Sequence, residues 1–384
     1  MAGKETIFGS LVCKTKRKLV KCKYMKEKSG LEKVLLKKRQ IIDETIQKYL
    51  PRKITREYLQ DFLVGKKDGY NQEVLNKTIT EPLWDFFDRG GKRWRPLLYL
   101  LVLDALGGDI KKAKDFLIIP ELIHNGTLIV DDIEDESELR RGKKCLHHLF
   151  GLDVAINAGN LAYFLPLKLF FLKKQQFSAK IWQKAYEVYI QEMINVSVGQ
   201  AIDIGWHRGL VLPRNAQEYY EMTRQKTGAM VRLSVKLAAI FAGAGEKTIQ
   251  KLSEVSEKIG VAFQIQDDIL DIELEGQDRA KFGKSFGNDI KEGKKTLMVI
   301  RALKKASPKD RVELARILNN HTHDFEEAKK AIDILRKYKT VEYAREKAKA
   351  LMAQAQREIA PLLRNCKSQR AVQRLMEFLI ERKH

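Results

Sequence analysis

This 384-residue chain lacks most of the marks that would place it in a common class. Its four cysteines, Cys13, Cys22, Cys145 and Cys366, stand without Cys-x-x-Cys spacing. That indicates neither a zinc site nor a disulfide framework and makes a reducing cytoplasm the expected compartment. The apolar run PLLYLLVL ends after eight residues at Asp104, far short of the roughly 20 that span a bilayer, so no transmembrane segment is expected. Runs of alternating β-branched residues are missing, which argues against extensive sheet, and no repeat of fixed period is present. There is no Ser–His or Cys–His signature of a nucleophilic enzyme. The basic stretches carry no interleaved aromatics of the kind that stack nucleic acid bases, so no nucleic-acid partner is expected.

Amphipathic stretches rich in leucine, alanine and lysine are abundant, for example EEAKKAIDILRKY and TVEYAREKAKALMAQAQREIAPLL, and their periodicity predicts helix nearly throughout. Breaks fall at Gly107 to Asp109, Gly205 to Pro213, Gly243 to Gly245 and Gly276 to Gly293. Ser307-Pro308 reads as a cap followed by proline at the first helical position. The net charge of +22 is uneven, because residues 1–53 hold sixteen Lys and Arg against five Asp and Glu. This basic N-terminal extension lacks the apolar core of a secretory signal. It reads as a solvated segment leading into the first helices, or as a contact for anionic membrane, since each clustered lysine gains about 1 kcal/mol near such a surface. Residues 54–384 are then the helical domain.

The most informative feature is one acidic pattern present twice, Asp131-Asp132-Ile133-Glu134-Asp135 and Asp267-Asp268-Ile269-Leu270-Asp271. On a helix, residues four apart share a face, so Asp131 with Asp135 and Asp267 with Asp271 each present paired oxygens in one direction. Flanking apolar residues at helical spacing put each cluster on a helix packed into a core. One such cluster alone could be a solvated acidic face. Two within apolar stretches suit magnesium, which binds through a few carboxylates plus substrate phosphates. Facing motifs on separate helices predict an all-α bundle with its site in the core between helices.

Cations alternate with the acids along the chain. Gly90-Gly91-Lys92-Arg93-Trp94-Arg95-Pro96 looks built for an anion, Arg140-Arg141-Gly142 follows the first cluster, Lys226-Thr227-Gly228 precedes the second, and Lys284 and Lys294 follow it. In this order the chain, from about Thr80 to Leu297, resembles the trans-isoprenyl diphosphate synthases, and the segment DDIEDES with LRRG is most similar to the geranylgeranyl type. The resemblance implies an all-α, single large helical bundle around a central apolar cavity. Lys92, Arg95 and His124, helped by Arg141, would hold the diphosphate of isopentenyl diphosphate; Arg forks and Lys point charges suit that task. The allylic partner, dimethylallyl, geranyl or farnesyl diphosphate, would lie between the clusters. Asp131, Asp135 and Asp267 would hold several Mg2+ ions, Asp268, Asp271 and Asp132 would support them, and Arg140, Lys226, Thr227, Gln264, Lys284 and Lys294 would surround the diphosphate. The family also implies a homodimer.

The implied reaction ionises the allylic diphosphate, adds isopentenyl diphosphate to the cation and loses a proton to give a trans-polyprenyl diphosphate. Geranylgeranyl diphosphate is the expected product, with farnesyl or longer chains as alternatives. The residues four and five before the first aspartate, Thr127 and Gly126, are small and leave the upper cavity floor open. Ile123, Leu122 and Ile119 lie lower on that helix, and Tyr163 or Phe164 on the next could close the cavity. A class I terpene cyclase would not need GGKRWRP and Arg141, and a silent regulatory subunit would be expected to have lost carboxylates that are present here.

Overall fold

A computed structural model describes residues 37–62, 69–273, 287–322 and 324–382 of the chain. Among these, the sole strands are the two-residue pair Leu139–Arg140 (β1) and Lys143–Lys144 (β2), and nearly all other regular structure is helical. The principal helices are α1 (37–49), α2 (Glu81–Asp88), α3 (Trp94–Ala105), α4 (Ile118–Glu134), α5 (Leu152–Phe164), α6 (Ala179–His207) and α7 (Ala216–Thr223). They continue with α8 (Ala229–Phe241), α9 (Glu246–Glu273), α10 (Leu297–Lys305), α11 (Pro308–Asn319), α12 (Phe325–Lys337), α13 (Thr340–Ile359) and α14 (Lys367–Glu381). Ser307 caps α11 by accepting from the Asp310 amide at 3.2 Å, with Pro308 opening the helix. Every residue of α8 except Lys236 is buried, the mark of a helix surrounded by others. It packs against α3, α6 and α9.

Two apolar clusters meet on α9. Its first half, with Ile249, Leu252, Val255 and Ile259, joins α3, α4, α8 and α14, while Ile265, Ile269 and Ile272 join α7 and α10–α13. The seam between the clusters holds the acidic residues of α9. The N-terminal extension does not stay outside this body throughout. Ile42, Ile46, Tyr49 and Leu50 are buried in the first cluster, while residues 1–36 lie outside the described residues.

By length and composition, one helical stretch among the described residues could cross a membrane, Leu152–Leu172. A 3-10 turn at Leu165–Leu167 interrupts it, and its Ala155, Ala158, Ala162 and Leu169 are core residues. The opposite side of that stretch is open: Leu152, Ile156, Phe164, Phe171 and Leu172 are exposed, as are Tyr186, Ile190, Ile194 and Val198 at four-residue spacing on α6.

Candidate active site

The helices converge on a cavity of about 500 Å3 with acids at one end and apolar side chains below them. One face of α4 supplies His124, Thr127, Leu128 and Asp131, with Asp135 at its C-cap. The neighbouring wall is a five-residue π turn, Arg224–Gly228, between α7 and α8, and such turns often mark functional sites. Here the turn is clasped by two glycines. A Cβ on Gly199 of α6 would lie 2.2 Å from the Lys226 amide nitrogen, and one on Gly260 of α9 would lie 2.6 Å from Cα of Gly228. Close approach of three backbones therefore aims Lys226 and Thr227 into the cavity.

Asp131, Asp135 and Asp203, which face the cavity, are each paired with a lysine. Lys226 Nζ donates to Asp131 Oδ1 at 3.0 Å and to Asp203 Oδ2 at 2.6 Å, and Lys294 Nζ donates to Asp135 Oδ1 at 2.6 Å and to Asp203 Oδ2 at 3.0 Å. Burial opposes ionisation of Asp131, but Lys226, Lys294 and Arg140 outweigh it and hold this carboxyl well below the usual range. Asp135 goes the other way, to about 7, because burial is joined by the charge of Asp131; two close carboxylates resist ionising together. Asp132 is buried and turned from the cavity. Its Oδ1 accepts from Arg140 Nε at 2.6 Å, so it orients that guanidinium.

On α9, Asp267 pairs with Arg382 at the C-cap of α14. Asp268 accepts from Gln264 Nε2 at 2.8 Å and from the Tyr219 hydroxyl at 2.7 Å, and burial lifts it to about 7. Asp271 accepts from the Asp289 amide at 3.0 Å. Thr227 donates to Gln264 Oε1 at 2.7 Å, so Gln264 links the π turn to the second acidic cluster. Lys284 lies outside the described residues.

Beside the second cluster, Lys92, Arg95, His124 and Arg141 line a basic wall. Burial pushes Lys92 down to about 8, with Arg382, Arg95 and Arg141 adding repulsion. Arg95 Nη1 lies 3.0 Å from His124 Nε2. Arginine can only donate, so that ring nitrogen accepts, in line with burial and the surrounding arginines holding His124 well below its usual pKa, hence neutral.

Three placements differ from the sequence expectation. Gly126 does not face the cavity: a Cβ there would lie 2.9 Å from the Gly159 carbonyl oxygen and 3.0 Å from Tyr163, so this glycine lets α4 and α5 touch. Ile123 is fully buried in the core. Phe164 is 65% exposed and cannot close a cavity. The apolar lining beneath the acids is instead Leu128, Val196, Met222 and Met230, with Trp94 and Phe263. The sequence also gave no prominence to Asp203, Gln200, Tyr219 or Arg382. For Asp203 the signal was present, an acid spaced with the buried Val196, Gly199 and Trp206 on α6. Arg382 has no local signal, because only folding brings the chain end to Asp267.

Comparison with known proteins agrees with this architecture. A family model described as polyprenyl synthetase matches residues 76–335. The chain is 36% identical to a short chain isoprenyl diphosphate synthase of Methanothermobacter thermautotrophicus over 312 residues, covering 81% of this chain and 93% of that one. It is 33% identical over 317 residues to a geranylgeranyl pyrophosphate synthase of Geoglobus acetivorans, covering 82% and 95%. The crystal structure of a geranylgeranyl pyrophosphate synthetase from Pyrococcus horikoshii superposes with a TM-score of 0.78 at 30% identity, covering 92% of this chain and 99% of that chain. The chain belongs to the polyprenyl synthetase family.

Proposed function

We propose that this chain condenses isopentenyl diphosphate with allylic diphosphates to give geranylgeranyl diphosphate. The observation that carries the reading is one cavity with two unlike anion sites: a wall of side-chain cations at Lys92, Arg95 and Arg141, and facing carboxylates at Asp131, Asp135 and Asp267. The names of the relatives support the same activity and product class.

The donor set fits magnesium. Asp131, Asp135 and Asp267 offer hard oxygens, and each now accepts from an ammonium or guanidinium group, so positive charge is already favoured at all three. Among the described residues no three His, Cys, Asp or Glu side chains converge to cage an ion, and magnesium commonly completes its shell with substrate phosphates and water. When bound, it supplies Lewis-acid stabilisation of the leaving diphosphate.

The chain's own residues do the rest. Lys226 and Lys294, tethered together by Asp203, are placed to follow negative charge onto the departing diphosphate, and Arg140, held by Asp132, adds a guanidinium on the same side. Charge prepositioned in this way is usually the largest contribution to catalysis. The apolar walls at Leu128, Val196 and Met230 keep water from the allylic cation, which would otherwise end as an alcohol. No side-chain nucleophile takes part, and the released diphosphate accepts the proton. Incubating the purified chain with magnesium, isopentenyl and dimethylallyl diphosphates should yield a lengthened prenyl diphosphate only when both substrates are present. A hydrocarbon formed from one prenyl diphosphate alone would replace this reading with a cyclase.

The apolar stripe Tyr186, Ile190, Ile194 and Val198, beside the exposed residues of α5, supports a homodimer formed through this face, since a regular stripe on a long helix is a packing surface. The double variant Ile190→Glu with Ile194→Glu should elute as a monomer in light-scattering chromatography, and an unchanged mass would refute this face. A cytoplasmic enzyme whose lysine-rich N-terminus rests on anionic membrane completes the proposal. Full-length protein should then sediment with anionic vesicles and protein lacking residues 1–30 should not.

A further inference from the structure

We propose that Glu121 is a positioning residue that fixes the geometry of the basic wall and so sets affinity for isopentenyl diphosphate. The inference rests on the reading of that wall as the isopentenyl diphosphate site. Glu121 is 3% exposed on α4, one turn before His124, with its carboxylate among arginines. Arg93 Nη1 donates to Glu121 Oε1, and Arg93 Nη2 donates to the Phe87 carbonyl at 3.1 Å. Arg93 adopts a left-handed backbone (φ 49°) at the start of α3, and its guanidinium sits 4.9 Å from the Phe87 ring. Its side chain is therefore engaged within the protein and braces the junction between the loop that carries Lys92 and the first turn of α3 that carries Arg95.

The same carboxylate reaches Arg141 through Asn125. The fully buried Asn125 donates to Glu121 Oε1 at 2.9 Å and accepts from Arg141 Nη2 at 3.3 Å, while Arg141 Nη1 donates to the Gly90 carbonyl at 2.6 Å. One continuous chain, Arg93–Glu121–Asn125–Arg141, thus ties together the loop before α3, the helix α4 and the β1–β2 turn. Burial drives Arg95 and Arg141 each down to about 10, and Glu121 is the largest influence holding their protons on. Four like charges, Lys92, Arg93, Arg95 and Arg141, would spread apart without it.

This leads to an outcome opposite in sign to simple charge counting. Glu121→Gln makes the wall one unit more positive, so a purely electrostatic account expects a tighter grip on a diphosphate. A positioning role expects a looser one. In the full-length enzyme with magnesium, Glu121→Gln should raise KM for isopentenyl diphosphate about 10- to 100-fold, the range of one charge-assisted contact, with kcat and the allylic KM within about twofold. Asn125→Ala, which cuts the link to Arg141 and keeps the carboxylate, should show the same selective rise and stands as the test where Glu121→Gln fails to fold. An unchanged or lower KM, or equal loss for both substrates, overturns the inference. Lys92→Ala, measured alongside, separates the two failures. If it leaves isopentenyl diphosphate unaffected, the assignment of the wall is wrong; if it weakens that substrate while Glu121→Gln does not, only the role of Glu121 is wrong.

Discussion

At the residue scale, the acids of the site are not equivalent, and their partners say why. Asp131 and Asp267 face the cavity and share cations that have other anchors: Lys226 keeps Asp203, and Arg382 keeps the Leu379 carbonyl at 3.1 Å and the Phe263 ring at 4.3 Å. Asp131→Ala or Asp267→Ala should therefore lower turnover by about 1000-fold or more, the scale of losing electrostatic stabilisation at the reacting centre, while helical circular dichroism is unchanged. Near-normal turnover in either variant would show that the carboxylate it removes does not serve the metal. Lys92 gives a prediction in pH. Because burial depresses it to about 8 in the free protein, it is cationic below that pH and neutral above. Affinity for isopentenyl diphosphate should then fall roughly tenfold per pH unit above 8, one proton being needed for binding. In Lys92→Arg, which stays charged, the decline should vanish. The positions were partly legible in the sequence: the repeated acidic pattern brought out Asp131, Asp135 and Asp267, the resemblance added Lys226 and Lys294, and the structure gathers all five around one cavity. What the sequence could not show is the pairing of Asp132 with Arg140, which depends on the fold of the β1–β2 hairpin.

At the scale of elements, the two faces of α4 do different work. Thr127 lines the cavity one turn below Asp131, while Gly126 meets Gly159 on α5, where the helix backbones touch. Residue spacing alone could not separate these, because adjacent positions on a helix are about 100° apart and the direction of the cavity is set by the neighbouring helices. Thr127→Phe should shorten the main product while leaving ionisation of the allylic substrate intact. Gly126→Phe should instead force α4 from α5, destabilising the fold by about 1–3 kcal/mol or more in thermal unfolding. A stable Gly126→Phe with shortened product would place the floor on the other face. The helices themselves were readable from periodicity, including the Ser307-Pro308 start of α11. The π turn at Arg224–Gly228 was not, since its extra residue is imposed by the close approach of Gly199 and Gly260 rather than by local preference.

At the scale of the whole molecule, the all-α class followed from pattern, but the position of the site at the seam of two apolar clusters along α9 did not. The same assembly gives the cavity its asymmetry: side-chain cations at Lys92, Arg95 and Arg141 line one wall, and the carboxylates Asp131, Asp135 and Asp267 line another, so that on the proposed reading one diphosphate would bind without metal and the other would need it. Calorimetric binding of isopentenyl diphosphate and of an unreactive allylic diphosphate analogue, each with and without magnesium, tests this division most directly. Isopentenyl diphosphate should bind with or without the metal, through Lys92, Arg95 and Arg141, and the allylic analogue only with it. Metal-independent binding of the allylic analogue, or an equal metal requirement for both ligands, would contradict this division.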